Sequence, residues 1–116
     1  MFDNDIVNLT FDKDNLSYSE VNDECCIYLK NKRKAGILNK TSSCVFLFLL
    51  EKIEAGSSSV LVGEITEHLK SKYKVNEENV NLKNDIENLI IKFRDNEILV
   101  KWRFENGIAH KISLSV

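Results

Sequence analysis

The run Cys44–Leu50 contains no polar residue, and it constrains the fold of this chain more than any other stretch. Periodicity alone does not distinguish a buried helix from a buried strand in such a run, so its flanks decide. Gly56 follows at the place where a left-handed residue commonly ends a helix. Residues that can cap the start of a helix precede the run: Asn39, Thr41, Ser42 and Ser43. The sequence therefore predicts a central helix that is apolar on nearly every side and that other elements cover all round.

The composition is that of an ordinary globular protein. We expect a single domain over residues 1–116, because a chain of 116 residues with 43% hydrophobic content can bury its own core. A net charge of −2 lacks the basic excess that a nucleic-acid partner favours. No apolar stretch approaches the roughly 18 residues of a membrane span, and the N-terminus is acidic where a signal peptide is positive. We therefore expect a cytoplasmic protein with no membrane partner.

The cysteines and histidines do not indicate a metal site. Cys25, Cys26 and Cys44 have no C-x-x-C spacing, and His68 and His110 are far apart in the chain. The sequence also lacks a G-x-S-x-G motif, an H-E-x-x-H motif and a phosphate-binding glycine loop. We therefore expect no metal, no other cofactor and no catalytic residue.

Alternation of apolar and polar residues predicts strands before the central helix. The segments Asp12–Asn15, Asn22–Asp23 and Asn31–Arg33 are rich in turn-forming residues and separate these strands. We expect an N-terminal antiparallel sheet of three to four strands that follow one another as a meander. Its apolar positions are Val7, Leu9 and Phe11, then Leu16 and Tyr18, then Cys25, Ile27 and Leu29, and finally Ala35 and Ile37.

An amphipathic second helix is predicted after Gly56. Ser59 has a side chain that can cap its first turn. Its apolar face comprises Leu61 or Val62, Ile65, Leu69 and Tyr73, which recur at steps of three and four.

The third helix has the clearest end signals. Asn76 is the expected N-cap, and Val75 and Val80 are spaced as a hydrophobic staple. Asn96 lies where a left-handed C-cap residue is needed. Ile91 falls on the side opposite the core stripe, which spans about 100° of arc and comprises Leu82, Ile86, Leu89, Ile90 and Phe93.

Residues 98–116 are expected to form a C-terminal β-hairpin around Glu105–Gly107. A three-residue loop with a left-handed Gly107 gathers the apolar residues on one face, whereas a two-residue Asn-Gly turn would divide them. Trp102 and Phe104 would then belong to the core face of the hairpin or contact a partner.

This order of elements predicts an α+β fold similar to a winged helix-turn-helix, with an N-terminal sheet, three helices and a C-terminal hairpin. Leu38–Phe46 resembles the strand-to-helix junction "LN-x-T/S-small-small-x-I/V" of the PqqD-like proteins, also called RiPP recognition elements. Tyr73–Val80 looks like their "Y-x-V-D-x-E-x-V" link, and Asn84–Phe93 is similar to their "x-D-V-x-x-F-L-x-x-L" segment. The segment that begins at Gly56 is similar to their "G-x-T-x-x-E-I-x-x-x-L" pattern. The resemblance covers roughly residues 17–99, so the C-terminal hairpin is an extension beyond it, and the N-terminal strand around Val7–Phe11 could be a second one.

The resemblance implies a binding module without catalysis. In that family, the third strand of the sheet and the third helix border a groove in which the leader segment of a ribosomally made precursor peptide adds as an extra strand. The module presents the leader to a modifying enzyme, such as a radical SAM maturase. The implied peptide-binding residues are Lys34, Ala35, Gly36, Ile37, Leu38 and Asn39 in the strand, and Asn84, Glu87, Asn88 and Ile91 in the helix.

A basic cluster lies at the root of this strand and comprises Lys30, Lys32, Arg33 and Lys34. It could steer an acidic leader peptide, or it could be a solvated turn that discourages aggregation through the sheet edge. Ile91 could line a pocket for a leader side chain, or it could pack under the C-terminal hairpin.

Other function classes stay open at this point. The same element order occurs in winged-helix DNA-binding regulators, whose third helix enters the major groove. A structural subunit that docks through the C-terminal hairpin is a further alternative, and an unpaired sheet edge could also form a homodimer. The outward face of the third helix is mixed and nearly neutral, which favours a peptide over DNA: Asn84, Glu87, Asn88, Ile91, Arg94 and Asp95.

We predict that the protein does not bind DNA sequence-specifically, because the chain is acidic overall and its third helix presents a nearly neutral face. Fluorescence anisotropy against pooled duplexes at low salt measures this directly. Tight binding that weakens steeply with added salt would contradict the prediction.

Overall fold

The structure is a computed structural model that describes residues 4–73 and 80–101. It is an α+β fold with two small antiparallel sheets and three helices. The strands are β1 (Ile6–Leu9), β2 (Leu16–Val21), β3 (Glu24–Leu29), β4 (Lys34–Ile37), β5 (Ser59–Leu61) and β6 (Val100–Lys101). The helices are α1 (Lys40–Glu54), α2 (Val62–Tyr73) and α3 (Val80–Asp95). None of the helices in the described ranges has the length and apolar content that crossing a membrane requires.

The N-terminal strands divide between the two sheets. β2, β3 and β4 form an antiparallel meander in that order, as predicted. β1 does not join it, because it lies between β5 and β6 in the other sheet. Of the three to four strands predicted for the N-terminal sheet, three are therefore present, and the inclusion of β1 as a fourth was wrong. The burial of Val7 and Leu9 was correctly predicted, but alternation reports which face is buried and not which strand is the partner.

The start of the second helix also differs from the prediction. Ser59 is not its cap but the first residue of β5, where it pairs with Asn8 of β1. α2 begins at Val62, and the Glu64 carboxylate accepts a hydrogen bond from the Leu61 backbone N–H at 2.9 Å. This contact satisfies one of the free donors at the start of a helix, as the glutamate of a capping box does.

Both ends of the central helix agree with the sequence. Asn39 is the N-cap of α1, and its side-chain oxygen accepts a hydrogen bond from the Ser42 N–H at 2.8 Å. Gly56 has a φ of +97° just after the helix, in the left-handed region. The prediction that α1 is covered all round was too strong, because Leu47 and Phe48 are only half-buried.

The end of α3 is one residue later than predicted. Asn96 is not the left-handed residue; Glu97 is, with a φ of +60°. The Ile98 N–H donates to the Phe93 carbonyl at 2.7 Å and the Glu97 N–H donates to the Arg94 carbonyl at 3.1 Å, which is the bonding pattern of a Schellman motif. That motif buries Ile98 beside Phe93, and this apolar contact favours the observed register over a left-handed Asn96.

Several predictions fall on residues outside the described ranges. They are the predicted cap Asn76, the staple residue Val75, and the hairpin residues from Trp102 onward, including Phe104 and Gly107. The predicted hairpin strand does not begin at Ile98: Ile98 and Leu99 lie in the turn after α3, with a φ of +59° at Leu99, and β6 begins at Val100, which pairs with Leu9 of β1.

One cluster of buried side chains joins both sheets and all three helices. Phe46 of α1 is fully buried near its centre, and its ring makes edge contacts with Tyr18 at 5.3 Å and Phe93 at 6.5 Å between ring centroids. The predicted core stripe of α3 is confirmed, since Leu89 is partly buried and the other members are buried: Leu82, Ile86, Ile90 and Phe93.

The Ser43 hydroxyl joins the meander to α1. It accepts a hydrogen bond from the Cys25 backbone N–H at 2.7 Å and donates one to the Leu38 carbonyl at 3.0 Å. Ser43 has no solvent exposure, so water cannot replace these bonds without a structural change.

We predict that Ser43→Ala lowers the free energy of unfolding by about 2 kcal/mol, because it leaves a buried N–H and a partly buried carbonyl without this partner. Urea denaturation followed by circular dichroism measures the change. Thr41→Ala, at an exposed position of the same helical turn, is the matched control and should change stability by less than about 0.5 kcal/mol. An equal effect of the two substitutions would contradict the role assigned to the Ser43 hydroxyl.

Candidate functional site

β4 is an edge strand of the described sheet, with β3 on one side only. The Leu38 N–H donates to the Cys25 carbonyl at 2.8 Å, and Ile37 stands opposite Cys26. Because the backbone groups of successive residues in a strand point to opposite sides, the N–H and C=O groups of Ala35 and Ile37 are directed away from β3. No described strand lies on that side of β4.

A groove of about 370 Å³ runs between this edge strand and the C-terminal half of α3. We refer to it as the β4–α3 groove. Its β-sheet side is lined by Ile27, Leu29, Lys34, Ala35, Gly36, Ile37, Leu38 and Asn39, with Ser42 of α1 beside them. Its helix side is lined by Leu89, Lys92, Phe93, Asn96 and Ile98.

Gly36 leaves space in the wall of the groove. It stands opposite Ile27, whose buried side chain faces the core, so a side chain at position 36 would point to the same face of the sheet. A Cβ atom added at Gly36 would have no other atom within 4 Å. Glycine is therefore not required at this position by close packing. Its lack of a side chain leaves open volume between β4 and α3.

The end of α3 forms the far wall of the groove. Phe93 is buried and contributes its ring to the floor, while the Schellman motif turns the chain so that Ile98 also lines the groove. The Asn96 side-chain amide donates to the Lys92 carbonyl at 2.8 Å. This wall is therefore held by hydrogen bonds that are formed before any ligand arrives.

The structure brings together the strand residues predicted for the site, but it pairs them with other residues of α3. Lys34, Ala35, Gly36, Ile37, Leu38 and Asn39 all line the β4–α3 groove, whereas Asn84, Glu87, Asn88 and Ile91 do not. Ile91 is two residues before Phe93, which places it about 160° away around the helix axis. It is half-buried on the side of α3 that faces away from the groove.

The predicted choice of helix residues rested on the family resemblance and on Ile91, an apolar residue away from the core stripe. The groove instead meets the margin of that stripe, at Leu89 and Lys92. Their position at the edge of the apolar stripe could have predicted this. A residue there is expected to be partly buried, and it can contact both the core and a neighbouring strand.

The basic cluster is divided between the turn and the groove. Lys30, Lys32 and Arg33 are exposed in the turn between β3 and β4, and only Lys34 of the cluster lines the groove. The Lys32 ammonium group lies 3.5 Å from the Asp95 carbonyl, at the end of α3. Lys92, which was not predicted, adds a second ammonium group to the groove lining.

The groove lining described here contains no histidine, cysteine or carboxylate. In residues 4–73 and 80–101, no group of three or more potential ligands is arranged to hold a metal ion. Cys25 is buried, and this burial raises the pKa of its thiol, which disfavours the reactive thiolate. His68 stacks on Phe48 at 4.4 Å between ring centroids, where burial lowers the pKa of its imidazole. The geometry is suited to binding an extended chain through backbone and apolar contacts.

Comparison with known proteins identifies a structural neighbour and no sequence relative. No protein-family model matches the chain, and no curated protein matches its sequence. Among solved structures, TbiB1 in complex with the TbiA(beta) leader peptide is similar, with a TM-score of 0.63 at 14% sequence identity. The similarity covers 83% of this chain and 98% of that chain. The two proteins therefore share a fold.

Proposed function

We propose that this protein is a non-catalytic module that captures the leader segment of a ribosomally made precursor peptide and presents it to a modifying enzyme. The leader adds to the edge of β4 as a further strand, with side chains in the β4–α3 groove. The observation that carries this proposal is the combination of an edge strand and an open groove along it. A radical SAM maturase is one candidate for the partner enzyme.

The backbone of β4 supplies the attachment. A strand added to an exposed edge forms main-chain hydrogen bonds, which provide affinity for almost any sequence. Here the outward groups of Ala35 and Ile37 are available in the described structure for such bonds.

The groove supplies the selection. Alternate side chains of an added strand point to the same face, so every second residue of the leader would face the groove. One of these side chains would enter the space over Gly36. The floor there is apolar, with Ile27, Leu29 and Phe93 buried beneath it. An apolar leader residue that covers these side chains would remove further apolar surface from water.

Two independent similarities support the proposal. TbiB1 was solved with a leader peptide, and it shares the fold of this chain over most of both lengths. The sequence segments Leu38–Phe46 and Asn84–Phe93 resemble those of the PqqD-like RiPP recognition elements, which have a winged helix-turn-helix fold. We therefore propose that this protein belongs to the PqqD-like family and has a winged helix-turn-helix fold.

We predict that Gly36→Val weakens leader binding at least tenfold while the protein stays folded. A Cβ atom at position 36 meets no neighbouring atom within 4 Å in the free protein, and a β-branched residue suits a strand, so thermal stability should be unchanged or higher. The valine side chain occupies the space that the leader requires. The measurement is calorimetric titration with synthetic leaders of the precursors encoded beside this gene, using the full chain.

Two variants serve as controls. Ser19→Val makes a comparable small-to-valine change at an exposed position of β2, away from the groove. Ile91→Asp alters α3 on the side that faces away from the groove. Both should bind the leader within about twofold of wild type. If Gly36→Val and wild type bind the leader with equal affinity, the leader does not bind in the β4–α3 groove. If wild type binds none of the leaders encoded beside this gene, the proposed function is contradicted.

A further inference from the structure

The charge of the β4–α3 groove is opposite to that of the whole protein. The chain has a net charge of −2, yet the only charged residues in the described groove lining are Lys34 and Lys92. Both side chains are exposed at the rim, one on the strand and one on the helix. The exposed turn residues Lys32 and Arg33 lie next to Lys34 and add positive charge at the same end of β4.

The C-terminal end of a helix would by itself repel a carboxylate, because its free carbonyl groups carry partial negative charge. At the end of α3 these carbonyls already have donors. The Lys92 carbonyl accepts from the Asn96 amide at 2.8 Å, and the Asp95 carbonyl lies 3.5 Å from the Lys32 ammonium group. These donors reduce the repulsion that the helix end would exert on a carboxylate near the two lysines, and the Asp95 carboxylate is itself paired with Arg94 at 2.9 Å.

We infer that the β4–α3 groove selects leader peptides that carry a carboxylate side chain between Lys34 and Lys92, two residues away from an apolar side chain that lies over Gly36. This inference rests on the proposed function and specifies the class of peptide that the site accepts. It assigns Lys34 and Lys92 as specificity-determining residues on opposite walls of the groove.

The spacing follows from the register of the sheet. Lys34 stands opposite Leu29 and Gly36 stands opposite Ile27, so positions 34 and 36 face the same side of β4. A strand added to this edge has the same period, and the residues beside Lys34 and Gly36 are therefore two apart in the peptide. A parallel strand would read acidic-x-apolar in the N-to-C direction, and an antiparallel strand would read apolar-x-acidic.

The charge and the apolar floor select together. A carboxylate on a peptide without the apolar neighbour would stay hydrated at the rim, where an exposed ion pair contributes little. An apolar side chain over Gly36 excludes water from the adjacent groove, and ion pairs strengthen as the surrounding dielectric constant falls. The two features of the peptide should therefore act cooperatively.

The test compares charge reversals inside and outside the groove. Lys34→Glu and Lys92→Glu reverse charges in the lining, and Lys30→Glu makes the same reversal at an exposed turn position outside it. The probes are synthetic leaders of the precursors encoded beside this gene, and copies in which every Asp and Glu is replaced by Asn and Gln. Affinities are measured by calorimetry at low salt, and melting curves verify that each variant is folded.

We expect each groove reversal to weaken binding of the acidic leader at least tenfold, and Lys30→Glu to weaken it less than threefold. The neutral leader should bind wild type and the three charge-reversal variants with affinities that differ by no more than about twofold. If the acidic leader binds wild type and Gly36→Val abolishes binding, but the groove reversals match Lys30→Glu, the carboxylate selection is overturned while the proposed function stands. If no leader binds wild type, both proposals fail together.

Discussion

The Ser43 hydroxyl is the contact on which the arrangement of this protein depends. One residue beyond the last pair of the β3–β4 ladder, Cys26 and Ile37, the Cys25 carbonyl still accepts directly from the Leu38 N–H, at 2.8 Å. The Cys25 N–H and the Leu38 carbonyl are bridged by Ser43, at 2.7 and 3.0 Å. The hydroxyl thus allows the strand to end and α1 to begin without leaving a buried polar group unpaired.

This bridge has a particular value for β4, because all four residues of the strand are exposed. Burial of its own side chains cannot hold such a strand in position, so its ladder with β3 and the Ser43 bridge must do so. A binding edge that is ordered in the free protein loses less conformational entropy when a peptide adds to it. The same exposure is a hazard for aggregation, and the flanking lysines of the β3–β4 turn oppose it by charge repulsion.

The second sheet determines the opposite wall of the groove. Strand β1 pairs with β5, just before α2, and with β6, just after α3. The Thr10 N–H also donates to the Leu99 carbonyl at 2.9 Å. These bonds fix the path of the chain where it leaves α3, and that path includes the left-handed Glu97 and the buried Ile98. The groove is therefore bounded by one sheet and by the end of α3, which the other sheet holds in position.

The sequence by itself determined the features that depend on neighbours along the chain. The cluster of cap residues that begins at Asn39, together with Gly56, marked the limits of α1, since capping is an interaction within one helical turn. The buried stripe of α3 and the strand Lys34–Ile37 were likewise evident from local pattern. In each case the energetic signal lies within a few residues of the position that it describes.

Only the tertiary structure decided which segments meet. The pairing of β1 with β5 and β6 and the place of Ser59 in a strand join residues far apart in sequence, and alternation carries no information about partners. The left-handed residue after α3 is Glu97 because burial of Ile98 selects that turn. The groove meets α3 at Leu89 and Lys92 and not at Ile91, because the side of a helix that faces a strand depends on how the two elements pack around the shared core.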